Sequence, residues 1–300
     1  MTYMYYIDYQ KEVHKSWYKQ LYKNIFFNYK IINFDTNKNL VLVNKKNINK
    51  RACKKLNKNL LKQCRVYISK NVVANDIFKN QFISDKKFIM KCMISNILSS
   101  IERYIMADYR NEDIYISLCN EIETNYILDI AEKFKSINIV TNKIKKIRRL
   151  ISRLENSYEL NLSVSNNRRK ALKKAKILIN IGFDSNIMEE FNLNRNCIII
   201  NLNENELNLK NSFHGSIIEA IEFSYKNRYS NIINEKNFNK QDLYESFIYN
   251  LDYRDIKQRA MQDDCIIERF IGKNNFIASD EFRNNFTKSS IKLDKIQKKD

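Results

Sequence analysis

The stretch YISLCNEIETN, residues 115–125, decides how this chain is read. Its first half is a short run of aromatic, β-branched and aliphatic residues. Beyond it, Ile127, Ile130, Ala131 and Phe134 recur at helical spacing. The stretch therefore predicts a buried strand, a turn and a helix, with no glycine in the turn. Downstream, INIVT ends a second strand at Thr141. A helix follows with Ile144, Ile147, Leu150, Ile151 and Leu154 on one face and Lys145, Lys146, Arg148, Arg149 and Arg153 on the others. LNLSVS reads as strand three, RRKALKKA as a short helix, KILINIGF as strand four, SNIMEEF as a helical turn or two, and CIIINL as strand five.

Strands alternating with helices at this pitch imply a parallel sheet covered on both faces. The right-handed crossover rule then favours a doubly wound α/β sheet with strands one and four beside the point where strand order reverses. Loops at the carboxyl ends of the strands would line a cleft there. The candidates are Cys119 and Asn120; Thr141, Asn142 and Lys143; Ser165 and Asn166; Gly182, Phe183 and Asp184; and Asn201.

Upstream, YKIINFD and LVLVNK read as paired strands joined by TNKN. A basic-faced helix with Cys53, Leu56, Leu60 and Cys64 inward comes next, then the strand RVYIS. A long helix from Lys86 to Tyr109, with Ile89, Met93, Ile97, Ile101 and Ile105 in one stripe, would lead into the central sheet. Downstream of Leu209 the pattern reads as mainly helical, with SIIEAIEFSY and YRDIKQRAMQDDCIIERF the stronger segments and a basic tail. The expected organisation is an N-terminal α/β domain over 1–110, the doubly wound domain over 111–209, and a helical segment over 210–300.

Composition bounds the function. Three glycines, no proline and about forty asparagines depart from ordinary usage, and a strongly AT-biased genome produces that profile through codon usage alone. The formal net charge of +19 suggests a polyanion as partner, although codon bias accounts for part of the excess. Six scattered cysteines show neither CxxC nor His-paired spacing, so neither a zinc site nor a disulfide framework is indicated. The N-terminus lacks a signal-peptide pattern, and no run reaches the ~18 apolar residues of a membrane span. The expected location is cytoplasmic.

The central third of the chain, from DIYISLCNEIETN through VTNKIKKIRRL to KKAKILINIGF, resembles the NAD(P)-binding Rossmann domain of the shikimate dehydrogenase and glutamyl-tRNA reductase superfamily. VTNKIKKIRRL is similar to that family's strand-to-helix step at the adenosine ribose, and KAKILIN to its fourth strand. The domain order is similar too. The resemblance implies a Rossmann-like fold. The family's GxGxxG turn and its catalytic Lys and Asp motifs are absent, so no catalytic residue is transferred.

In a dinucleotide site, glycines let the pyrophosphate approach a bare helix N-terminus, whose free N–H groups and dipole hold the charge. Here Asn120 and Glu123 match an N-cap and capping box, with Glu121 alongside. Each carboxylate would stabilise the helix start by about 0.3–1 kcal/mol and would repel a phosphate. At the end of strand two, an NAD enzyme wants an acidic residue. The chain has Thr141, Asn142 and Lys143, a set compatible with a 2′-phosphate or with a polar cap on a basic helix.

Other candidates have bland readings beside functional ones. His214 reads as a turn residue before a helix or as a ligand-facing group, and His14 as packing beside Trp17. Asp263, Asp264 and Glu268 read as a solvated acidic helix face or a cation site. The basic run from Asn44 to Arg65 reads as a solvated helix face or a phosphate track. The expectation is a binding, regulatory or scaffold protein with no cofactor, whose partner is a protein or a polyanion. The alternatives are an NADP-linked oxidoreductase and a nucleic-acid binder.

Overall fold

The computed structural model describes residues 2–10, 27–60, 63–74, 81–105, 112–119, 125–157, 160–210, 212–273 and 275–287. Its contacts divide the chain into two compact units, Met1–Asp85 with Lys226–Arg259, and Lys86–Tyr225 with Ala260–Asp300. This differs from the three consecutive segments read in the sequence. A chain that crosses back to the first unit at Lys226 and to the second at Ala260 cannot be cut into consecutive segments, and without Gly or Pro runs there was no local signal of the return.

The first unit opens with β1 (Tyr3–Tyr9), β2 (Tyr29–Asp35), β3 (Lys38–Val43), β4 (Asn47–Ile48), α1 (Lys50–Asn59), β5 (Cys64–Ile68) and β6 (Val73–Ala74). Its main sheet has the order β2-β3-β1-β5, with β1 parallel to both neighbours and β2–β3 the expected hairpin. β1 was not anticipated. It is central, its residues Met4 to Asp8 are all buried, and the apolar run from Tyr3 to Ile7 marks it rather than alternation. Asn49 caps α1, its Oδ1 accepting from the Ala52 amide at 2.9 Å. Cys53 and Leu56 then pack with Ile7, Val41 and Val66 on one sheet face.

The second unit begins with α2 (Lys86–Cys92) and α3 (Ile94–Ile105). These occupy the place of the expected long helix up to residue 105, and all five residues of its predicted stripe are buried. β7 (Ile114–Leu118), α4 (Asn125–Ala131), β8 (Ser136–Thr141), a 3-10 turn (Ile144–Ile147) running into α5 (Arg148–Ser157), β9 (Asn161–Ser165), β10 (Ile177–Asn180), α6 (Ser185–Glu190), β11 (Ile198–Asn201) and β12 (Ser216–Ile218) follow. The sheet order is β12-β11-β10-β7-β8-β9, and every pairing is parallel. Counted from β7, that order is 3-2-1-4-5-6 read from the β9 edge, the doubly wound Rossmann arrangement, with the reversal between β7 and β10. β7, β10 and β11 are buried at every position, as strands covered on both faces must be.

Three local expectations are corrected. RRKALKKA runs as successive turns over 168–174; a helix there would stack Arg169 on Lys173 and Lys170 on Lys174, and like charges at that spacing destabilise it. SIIEAIEFSY forms β12 and β13 (Ala220–Ser224). Buried Ile221 and Phe223 alternate with partly exposed neighbours, the two-residue period of a strand. Further along come a 3-10 turn (Glu235–Asn237), α7 (Lys240–Ile248) and α8 (Tyr253–Gln262). CIIERF then leaves the helical reading to form β14 (Ile266–Ile271), antiparallel to β13, with β15 (Phe276–Ile277) and a last helix, α9 (279–287). α8 stops where Asp264 takes a φ of 49°, in the left-handed region, and the Cys265 amide donates back to the Ala260 carbonyl at 3.1 Å. Asp263 and Asp264 are thus the end of a helix and Glu268 lies on β14. No described helix is long and apolar enough to cross a membrane.

Candidate functional site

In doubly wound sheets ligands bind beyond the carboxyl ends of the strands, where the order reverses. Here that is the junction of β7 with β10. The Ile181 and Gly182 amides both donate to the Ser117 carbonyl, at 3.1 and 3.2 Å. The Cys119 thiol donates to the Gly182 carbonyl at 2.8 Å. A Cβ at Gly182 would lie 2.6 Å from the Cys119 nitrogen and 3.3 Å from the Leu118 carbonyl carbon. Gly182 therefore serves by having no side chain, letting the two departing chains touch. Burial pushes the Cys119 thiol above its usual range, while Lys143 pulls it down and Asp184 adds to the rise. It stays protonated at neutral pH and remains a donor. Asn120, Glu121 and Glu123, the residues of the expected acidic cap, lie outside the described residues.

From this junction a buried polar chain runs across the strand ends. Ser117 Oγ donates to Asn180 Oδ1 at 2.6 Å, and that oxygen also accepts from the Phe183 amide at 3.0 Å. Asn180 Nδ2 donates to the Phe183 carbonyl at 2.8 Å and to Asn201 Oδ1 at 2.9 Å. Asn201 Nδ2 donates to the Asn205 carbonyl at 2.9 Å and to Glu219 Oε2 at 2.8 Å. The other Glu219 oxygen accepts from the Leu207 amide at 2.9 Å. Lys87 closes the chain, its ammonium donating to Glu219 Oε2 at 2.7 Å and to the Asn201 and Glu219 carbonyls at 2.8 Å each. All three ammonium protons are used. Ser117, Asn180 and Asn201 are fully buried, and Glu219 and Lys87 are 7% and 8% exposed. The amides and the ion pair satisfy one another, so burial of these groups is compensated.

The remaining sequence candidates are arranged around this edge. Thr141 is buried, and its Oγ1 accepts from the Lys143 amide at 3.0 Å. Asn142, Lys143 and Asn166 are exposed, and Ser165 Oγ accepts from the Asn167 amide at 3.2 Å. Phe183 is fully buried with its ring 5.0 Å from Phe191, so it supports the edge from within the core rather than lining a cleft. Asp184 caps α6 by accepting from the Ile187 amide at 2.8 Å. His214 sits in an exposed segment before β12, not before a helix, and its amide donates to the Arg195 carbonyl at 2.8 Å.

The reading of the sequence missed Ser117, Asn180, Lys87 and Glu219. For Asn180 a signal existed: ILIN, like IIIN, ends an apolar run in asparagine, and the register then sets Asn180 opposite both Ser117 and Asn201. Lys87 and Glu219 lie 132 residues apart and carry no local mark of their pairing.

No protein-family model matches the chain, and no curated protein matches it in sequence. Among solved structures, the L-tryptophan dehydrogenase from Nostoc punctiforme is similar at 8% identity, over 96% of this chain and 89% of that one, with a TM-score of 0.32. At that level the likeness bears no weight, and the Rossmann-like assignment rests on the strand order.

Proposed function

We propose that the second unit is a non-catalytic binding or scaffold module on a Rossmann-like sheet. One observation supports this above the rest: the polar groups at the reversal point, from Ser117 to Lys87, are hydrogen-bonded to one another, and Cys119 and Gly182 are in contact across the junction. A dinucleotide site needs unspent donors facing a phosphate-sized gap. Among the described residues, the donors of this network are spent. The test is calorimetric titration with NAD and NADP, with amide shifts recorded alongside. No saturable heat is expected up to millimolar nucleotide, and micromolar binding that shifts Cys119 and Gly182 would overturn the proposal.

A second reading, an NADP-dependent oxidoreductase of shikimate dehydrogenase type, is favoured by the 3-2-1-4-5-6 order and by the exposed Lys143 just beyond β8, where a 2′-phosphate would lie. In that reading Lys143→Glu weakens NADP and spares NAD in the same titration.

A further inference from the structure

The second unit carries another concave surface, lined by residues that make none of the junction's hydrogen bonds. A cavity of about 330 Å3 is lined by the turn at Arg168 and Arg169, by α6 with the chain that follows it, and by the approach to β12. That volume is at the small end of the range for small-molecule sites. Its apolar surface comes from Met188, Phe191, Leu193, Leu209 and Phe213. The wall at Phe213 is held in place by Gly215, where a Cβ would stand 2.0 Å from the Cys197 carbonyl oxygen and 2.6 Å from the Phe213 ring. The backbone there is pressed against its neighbour, and the Phe213 ring reaches over the glycine.

Four cations and two carboxylates line the same space. Arg168 pairs with Glu190 at 3.1 Å and Lys210 with Glu189 at 3.0 Å, which ties both flanks to α6 and consumes both acids. Among the described residues, the Arg169 and Arg195 guanidinium groups have no acidic partner. A basin of mixed lining, with an apolar floor beside two uncommitted guanidinium groups, matches a carboxylate on an apolar body, because the planar fork of Arg binds that head group in bidentate fashion.

We propose that this cavity binds a small aromatic carboxylate, its ring on the apolar floor and its head held by Arg169 and Arg195. The inference goes beyond the proposed function and does not require a closed strand junction. A dinucleotide found at Cys119 and Gly182 would refute that proposal and leave this one intact.

The test uses the full chain with benzoate as probe and benzamide as its neutral counterpart, followed by saturation-transfer NMR and by amide shifts. Benzoate is expected to bind saturably at millimolar concentration or below, shifting Leu193 and Phe213. The Arg169→Gln/Arg195→Gln variant should weaken it about tenfold or more, and Arg148→Gln, on α5, should leave it unchanged. Arg195→Gln alone repeats the readout if the double variant does not fold. Absence of saturable binding, equal binding of benzamide, or wild-type affinity in the arginine variants would each overturn the inference.

Discussion

Replacing Lys87 with methionine tests the closed junction most directly. The change keeps most of the side-chain volume and removes the three hydrogen bonds that the ammonium makes at 2.7 to 2.8 Å. It leaves the Glu219 carboxylate, 8% exposed at the side chain, with Asn201 and the Leu207 amide as its partners among the described residues. Breaking one side of a buried pair costs about 3–5 kcal/mol, against a total of about 5–15 kcal/mol for a typical domain. Lys87→Met should therefore remove a large share of the second unit's stability. Urea unfolding followed by circular dichroism measures the loss, and amide exchange at β11 and β12 locates it. The double variant Lys87→Met/Glu219→Leu should cost less than the two single changes added together, by about 0.5–3 kcal/mol, because neither charge is then stranded. A cost below about 1 kcal/mol for Lys87→Met, the scale of a solvated surface pair, would show that water reaches the carboxylate and would refute the closed junction.

Gly182→Ala places a Cβ 2.6 Å from a backbone nitrogen and should destabilise by about 1–3 kcal/mol. Gly272→Ala meets nothing closer than 3.4 Å and should be neutral or slightly stabilising, both read as shifts in thermal midpoint. Asp264→Gly relieves the φ of 49° and should stabilise by about 0.5–1 kcal/mol in the same assay. In the first unit, burial raises the Asp35 pKa, but hydrogen bonds from Lys38, Tyr229 and the Thr36 amide outweigh it and hold the carboxyl at about 2. A folded pKa below the unfolded value of about 3.9 means its contribution is complete above that value and drains as pH falls toward 2. Asp35→Asn should flatten the acid limb of the stability curve by about 1 kcal/mol, the remainder being screened by solvent.

The central sheet was legible because its strands are short, wholly apolar and separated by amphipathic segments, a pattern that neither glycine nor proline is needed to punctuate. The strand order followed from handedness rather than from any residue. What failed shares a cause. SIIEAIEFSY places apolar residues at spacings that suit a helix and a strand alike, and its pairings with β11 and β14 select the strands. β1 was overlooked because a five-residue apolar run in an unpunctuated N-terminus has no period to detect. At the strand edge, Thr141, Gly182 and Asn201 were legible from their positions after apolar runs. The ion pair that completes the network was not, because a lysine on α2 and a glutamate after β12 look like solvated charges until the fold sets them together.

Two of the three glycines, Gly182 and Gly215, stand where one stretch of main chain rests on another. In a protein so poor in this residue, these two mark places that any substituent would pry apart. Engineering can take that as a guide: loop grafts and labels should keep clear of residues 182 and 215.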